Sequence, residues 1–473
     1  MTIDQMLNEA ADDLHAYREA ISLPDLDSRI AQRSRVRSRR GPIVAVAAAV
    51  VVVFAFVWAV FRQPTEQAPP VVEQPTVTTA DLPNTVEPTT PPLESTTPAP
   101  TTTSVQTPDV PTITWSRIEL PVTGSEAGLD TIADTEFGLL AGGLDGSAAA
   151  IWISSDGSAW ERAAILSSDG DVVDSEEGRI AEVLGFASKA GRAVAIGFEG
   201  TGEPGPVYFW GLDRWESRGA WLDANPVAAV WYSEDGATWT RVAHDESVFG
   251  GEEVVRMWAV AASDNEFVAV GDSVWRSEDG LTWERSPSPG GKLFAVIYDG
   301  TQFIAGGMGS GGGQGIYRSA DGVEWTELPI EQALVDWDPS PLLDITKTDW
   351  AYVAVGGGVE SRIWRAADIG LDMEVVYKPT RSRFHYLSGV AADGDRVVAV
   401  GEHFGQGTLA LLVTSVDGGL TWTTEKTDAA FGSKYNESSM SAVRDLVMAD
   451  GRIIAVGRIG FGAPVVWIGE WTD

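Results

Sequence analysis

One phrase returns five times along this chain. S-S-D-G-S-A-W spans Ser154–Trp160, S-E-D-G-A-T-W spans Ser233–Trp239, and S-E-D-G-L-T-W spans Ser277–Trp283. S-A-D-G-V-E-W follows at Ser319–Trp325, and S-V-D-G-G-L-T-W at Ser415–Trp422. A phrase that recurs at tens of residues marks a repeat architecture, in which one supersecondary unit is built several times over. A second phrase precedes each copy. It is an apolar run closed by glycine: L-L-A-G-G at Gly143, A-V-A-I-G at Gly197, F-V-A-V-G at Gly271, F-I-A-G-G at Gly307, Y-V-A-V-G at Gly356, V-V-A-V-G at Gly401 and I-I-A-V-G at Gly457. These seven closing glycines lie 54, 74, 36, 49, 45 and 56 residues apart. The mean of about 52 is near propeller-type repeat lengths.

Each unit reads as four short strands. Lys292–Tyr298 is an apolar strand, Asp299-Gly300 is a hairpin signal, and the F-I-A-G-G run is the next strand. A glycine-rich loop, the strand Gly315–Ser319, the turn phrase and Val323–Leu328 complete the unit. Short β-rich runs punctuated by Asp-Gly and Gly-Gly argue for an all-β fold. The turn phrase has its own mechanics. Ser and Asp side chains bond backbone amides within a turn, and glycine supplies backbone angles that other residues avoid. Asp156, Asp235, Asp279, Asp321 and Asp417 therefore read as hairpin staples, and Trp160, Trp239, Trp283, Trp325 and Trp422 as bodies packed on the blade.

With these residues in view, the phrase resembles the Asp-box, or BNR repeat, of sialidase-like β-propellers, whose pattern is S-x-D-x-G-x-T-W. Ser415–Trp422 matches it in full, and the other four copies are one residue shorter before the Trp. Two units are degenerate, at Arg365–Asp368 and Val465–Trp471. The resemblance covers about residues 113–473 and implies a seven-bladed β-propeller. The family's sialidases use an arginine cluster, a Tyr–Glu pair, an acidic residue and an R-I-P string. No R-I-P string exists here, so no catalytic residue is carried over. The last unit runs out before its outer strand, while Thr114–Pro121 resembles the outer strands at Glu324–Pro329 and Thr282–Pro287. That segment is expected to complete the last blade and seal the ring.

The chain before the propeller divides into three. Residues 1–40 hold one expected helix with an apolar stripe of Ile3, Leu7, Ala10, Leu14, Tyr17 and Ile21, ended by Pro24. A cytoplasmic partner, a second copy and the inner leaflet all remain open as its contact. Residues 42–61 form an uncharged run of 20, the length of a transmembrane helix. Six arginines between Arg29 and Arg40 crowd its N-terminal side, which places the N-terminus in the cytoplasm and the propeller outside a cell membrane, as a single-pass protein. Residues 63–112 contain 12 prolines and 14 threonines without a Lys or Arg, a composition that reads as a disordered stalk.

The net charge is −35, and the first 40 residues contribute nothing to it, with seven Arg against seven acidic residues. The outer side thus carries the whole excess and repels nucleic acid. The absence of cysteine means the fold does not rely on disulfides. The Ala/Val/Arg-rich anchor and the cysteine-free exterior suggest a bacterial protein. The acidic stretch Asp169, Asp171, Asp174, Glu176 and Glu177 offers a calcium site or a solvated loop, and no zinc pair is evident, so no cofactor is expected beyond that calcium alternative.

Long connections gather at the end opposite the short turns: Phe198–Pro226, Ala243–Glu252, Thr326–Pro341, Glu374–Tyr386 and Glu425–Ser439. Candidate ligand-binding residues there are Trp210, Arg214, Trp215, Arg381, Arg383, His385, His403 and Tyr435, with Trp221 nearby. Aromatic faces and Arg forks suit a sugar or an acidic group, and packing of a long loop onto its blade uses the same residues. The expected function is binding or scaffolding of a glycan, a cell-wall component or a protein. A sialidase-like glycoside hydrolase and a transmembrane sensor are the alternatives.

Overall fold

A computed structural model of the protein describes residues 112–472 apart from 125–126, 171–178, 202–225, 252–253, 331–340, 357–360, 369–372, 379–384, 406, 426–428, 433–440 and 460–462. The N-terminal helix, apolar run and Pro/Thr-rich segment expected from sequence lie outside the described residues.

Seven antiparallel sheets form the blades of a β-propeller. Their inner strands are Ala127–Thr135, Arg179–Lys189, Met257–Ala262, Leu293–Tyr298, Leu342–Lys347, His385–Asp393 and Ser441–Ala449, which define blades 1 to 7. Each inner strand abuts the next around the full circle. Closure is as the orphan segment suggests. Thr112–Glu119 pairs with Ala463–Thr472 as the outer strand of blade 7, in register from Thr112↔Thr472 to Glu119↔Val465. Blade 2 departs from the four-strand plan, because Ala164–Leu166 adds a fifth strand parallel to Thr238–Arg241.

The apolar-run phrase is the second strand of each blade. In blades 3 and 5 all five residues, Phe267–Gly271 and Tyr352–Gly356, are buried. A central strand sandwiched between neighbouring blades has no solvated face, so it reads as a continuous apolar run rather than an alternation. The small residue inside that run has a partner that sequence reading overlooked. Ala141 faces Trp152 across the strands, Ala195 faces Trp231, Ala269 faces Trp275, Ala305 faces Tyr317, Ala354 faces Trp364 and Ala455 faces Trp467. Blade 6 alone pairs its alanine, Ala399, with Val413. Blades diverge from the axis like wedges. Alanine suits the narrow inner gap and an aromatic fills the wider gap outside, at about 2–3 kcal/mol of burial per large side chain. In blades 1, 2 and 3 an outer-strand arginine then covers that tryptophan, with Arg162, Arg241 and Arg285 standing 5.2, 5.7 and 5.6 Å from the ring centres.

Seven apolar clusters result, one in each seam between blades. Two connections differ from the sequence expectation. Glu374–Tyr377, placed in a long loop by sequence, is the outer strand of blade 5, and Phe198–Thr201 continues the second strand of blade 2. The connection into blade 3 holds a four-residue helix, Glu246–Phe249, whose first turn is capped by Asp245.

Candidate functional site

The two ends of the ring use their polar residues differently. At the short-turn end, the recurring phrase builds a self-contained turn. The Asp235 carboxylate accepts the backbone N–H groups of Ala237 and Thr238 at 2.9 and 2.7 Å. The Ser233 hydroxyl accepts the Gly236 N–H at 2.9 Å, and the Trp239 indole N–H donates to the Gly236 carbonyl at 2.9 Å. Asp279 and Asp321 accept the equivalent amides, and Trp283 and Trp325 the equivalent carbonyl bond. In blade 1, Asp156 accepts from the Ser158 amide and Trp160 donates to Gly157. The longer copy keeps the same bonds. Asp417 reaches Leu420 and Thr421, and Trp422 reaches Gly419, because the added residue, Gly418, is accommodated at φ 68°. Amide donors hold Asp156, Asp235 and Asp321 below the usual carboxylate range. At Asp279 and Asp417 burial pushes upward, and the hydrogen bonds outweigh it.

Each of these turns also leans on the blade before it. A β-carbon on Gly157, Gly236, Gly280, Gly322 or Gly419 would lie 2.7–2.9 Å from Ile454, Phe137, Val194, Val268 or Val353 of the preceding blade. The turns thus clamp the seams 7/1, 1/2, 2/3, 3/4 and 5/6. Seams 4/5 and 6/7 use other contacts at this level. The Tyr352 hydroxyl donates to Asp299 at 2.7 Å, and Arg396 stands 5.0 Å from the centre of the Trp471 ring.

The opposite, long-connection end is built around a backbone irregularity repeated in every blade. Each inner strand carries a β-bulge, whose extra residue is Asp130, Leu184, Trp258, Phe294, Leu343, Ser388 or Arg444. The bulge explains the closing glycines. A β-carbon on Gly143, Gly197, Gly271, Gly307, Gly356, Gly401 or Gly457 would stand only 1.8–2.7 Å from a carbonyl oxygen of the inner strand's first turn of chain. None of these seven glycines has positive φ, so space alone excludes a side chain.

All eight buried charged side chains in the described residues lie in this bulge layer: Asp130, Asp145, Glu182, Arg256, Arg362, Glu402, Arg444 and Arg458. Each is within two residues of a bulge or a closing glycine, or is paired with one across the sheet. Arg444 forms an ion pair with Glu402 at 2.5 Å. The Arg256 guanidinium stands 5.4 Å from the Phe198 ring centre and 5.6 Å from that of Trp258. Asp145 pairs with Arg162 and accepts the Thr123 and Gly124 amides, which together outweigh its burial and lower its pKa. On blades 3 to 6 the layer also carries apolar side chains. Trp258, Phe294, Leu343 and Tyr386 form a cluster of their own, distinct from the seven seam clusters.

One position beyond the bulge, small residues dominate: Thr131, Gly185, Ala259, Ala295 and Gly389. The exceptions are Asp344 and Asp445 on blades 5 and 7. Asp344 accepts the Val390 N–H of blade 6 at 2.8 Å, and Asp445 accepts the Ile132 N–H of blade 1 at 2.9 Å. Each also accepts the following amide of its own strand at 2.8 Å. Burial, and then the Asp445 charge, push the Asp344 carboxyl well above its ordinary range. Its side chain keeps partial solvent contact.

Of the residues singled out from sequence, Trp210, Arg214, Trp215, Trp221, Arg381, Arg383 and Tyr435 lie outside the described residues, as do Asp171, Asp174, Glu176 and Glu177. His385 opens the inner strand of blade 6, directly opposite His403 on the second strand. Among the described residues no group of three or more His, Asp or Glu is placed to hold a metal ion, and no helix is long and apolar enough to cross a membrane. The bulge layer itself was missed by sequence reading. Its one advance signal is a charged or aromatic residue next to a closing glycine or at the entry of an inner strand.

The chain matches no protein-family model and no curated protein. Its fold is similar to that of YCF48 bound to D1 peptide, at 15% identity, covering 76% of this chain and 96% of that one, with a TM-score of 0.45. It is also similar to the GH74 xyloglucanase from Xanthomonas campestris, at 14% identity and a TM-score of 0.40, covering 73% of this chain and 43% of the xyloglucanase. Both are β-propellers, and at these identities the likeness is one of fold alone.

Proposed function

We propose that this protein is a membrane-anchored, extracytoplasmic binding or scaffolding module whose ligand seats on the axis at the long-connection end. The observation that carries the reading is the segregation of buried charge. All eight buried charged side chains of the described residues fall in the bulge layer, beside an apolar arc of Trp258, Phe294, Leu343 and Tyr386. Buried ion pairs are seldom the most stable way to fill a core, and apolar groups of similar volume commonly serve as well. Concentrating them at one end of an otherwise apolar ring therefore supports recognition rather than stability. Aromatic faces beside charged forks suit a glycan, a cell-wall component or a protein segment with polar and apolar parts. Anchoring rests on the uncharged run 42–61 and its arginine-rich flank.

The glycoside hydrolase reading asks for two carboxylates facing a substrate. Asp344 and Asp445 are carboxylates that feel each other's charge, but their oxygens accept main-chain amides that tie blade to blade. That arrangement favours a structural role for both. The test uses the full-length chain in nanodiscs on glycan and peptide arrays. Specific retention that is lost in Trp258→Ala, with an unchanged melting curve, supports the proposal. Turnover of an aryl-glycoside panel, or retention indifferent to Trp258→Ala and Arg444→Gln, overturns it.

A further inference from the structure

The short-turn end distributes its apolar residues unevenly. Leu281, Val323, Trp350, Val416 and Leu420 are exposed on turns at this end, and they belong to the consecutive blades 3, 4, 5 and 6. Leu281, Val323 and Leu420 occupy one equivalent place, directly after the clamp glycine. The boxes of blades 1 and 2 put Ser158 and Ala237 there. The turn does not call for an apolar side chain at that position. It needs only the residue's backbone N–H, as Ala237 shows by making the same bond with a methyl side chain. Trp350 is 66% exposed at the top of the first turn of blade 5, and its ring edge reaches within 3.9 Å of a β-carbon position on Gly418 in blade 6. An arc of exposed Leu, Val and Trp that the turns do not need marks a contact surface.

Charge identifies the occupant. The same four blades expose Glu278, Asp321, Asp349, Asp368, Asp393 and Asp395 at this end, against Arg318 and Lys347. A second copy would bring the same acidic frame and the same net charge of −35. An anionic bilayer is repelled for the same reason. We propose that this face docks a protein partner whose contact patch is apolar at its centre and rimmed by Lys or Arg. The apolar tips supply contact area, and the carboxylates select and orient a cationic rim. This surface is separate from the axial site at the other end.

The test uses the full-length chain in phosphatidylcholine nanodiscs. The probe is a labelled amphipathic peptide of about 20 residues, long enough for a stable helix on contact, with a leucine face flanked by lysines. Control peptides carry Glu for Lys, or Ser for Leu. The expected result is salt-sensitive binding of the Leu/Lys peptide alone, weakened about tenfold or more in the double variant Leu281→Ser with Trp350→Ser and unchanged in Val122→Ser, which alters an exposed apolar residue away from this face. Equal binding of the Ser-for-Leu peptide would reduce the effect to bulk charge and overturn the proposal. So would binding indifferent to the double variant. Self-association, or partition onto phosphatidylglycerol vesicles, that the double variant abolishes would assign the face to a second copy or to lipid instead.

Discussion

Gly401→Ala is the sharpest test of why every blade closes on glycine. The added β-carbon would lie 1.8 Å from the Tyr386 carbonyl oxygen, with the Tyr386 carbonyl carbon at 2.7 Å and Leu387 Cα at 2.8 Å. All three are backbone atoms, so no side chain can swing aside. The carbonyl must retreat by about 1.2 Å to reach even the 3.0 Å floor of real β-carbon contacts. That displacement falls on the bulge that separates Leu387↔Gly401 from Gly389↔Val400. Forced backbone shifts in a packed core put the cost at about 3–5 kcal/mol. At ~2.1 cal/mol/K per residue, an unfolding unit of roughly 360 residues loses about 4–7 °C in melting temperature. The series is graded, because the equivalent contact is 2.3 Å at Gly307 and 2.7 Å at Gly356. Gly451→Ala is the control. It lies at φ 71° with nothing within 4 Å of its β-carbon position, so it incurs only about 1–2 kcal/mol of backbone strain. Calorimetry on the four variants should rank Gly401 above Gly307, Gly307 above Gly356, and Gly451 near the wild type. A Gly401→Ala protein melting within a degree of wild type would refute the steric account.

Three other outcomes follow from the same framework. Asp156, Asp235, Asp279, Asp321 and Asp417 all have lowered pKa values, and Asp299 is lowered to about 2 by hydroxyl and amide donors that outweigh its burial. Their stabilisation is complete above the ordinary value of 3.8 and is lost as pH falls through the folded values, so the melting temperature should fall as pH drops from about 4 to 2, and a flat profile there would contradict the assignment. Asp344 runs the other way. Its raised pKa means stability is lost as pH rises through the folded value, so Asp344→Asn should gain on wild type in melting temperature with increasing pH, and a pH-independent difference would contradict the assignment. Removing Thr112–Leu120 deletes the outer strand of blade 7, the bonds from Arg117 to the Ala430 and Gly432 carbonyls, and the Trp115–Phe431 contact at 5.1 Å. The whole propeller should be destabilised, and an unchanged melting temperature would show that closure contributes little.

The blades were legible because their signals are local. The Asp-Gly turn, the buried second strand and the closing glycine each sit within a few residues, and Thr114–Pro121 betrayed closure by its likeness to other outer strands. The alanine–aromatic pairing was equally readable in retrospect, as an aromatic two residues before Ser154, Ser233, Ser277 and Ser319, with Val413 before Ser415 the exception. The bulge layer was not legible. Asp130, Leu184, Trp258, Phe294, Leu343, Ser388 and Arg444 share a backbone position but no residue type, and tens of residues separate each from the next. A reading tuned to loops passes over strand ends, where Glu402 and Arg458 each follow a closing glycine and are absorbed into the strand.

The clamp turns make this circle mechanically unequal. Four clamped seams in a row join blades 7, 1, 2, 3 and 4 into one arc, and a single clamped seam joins blades 5 and 6 into another. The two arcs meet where a phenol bonds a carboxylate, from Tyr352 to Asp299, and where a guanidinium rests on an indole, from Arg396 to Trp471. A ring so divided has two preferred parting lines. Seams 4/5 and 6/7 divide the ring into an arc of five blades and an arc of two, and the strand Thr112–Glu119, sewn into blade 7, belongs to the larger arc.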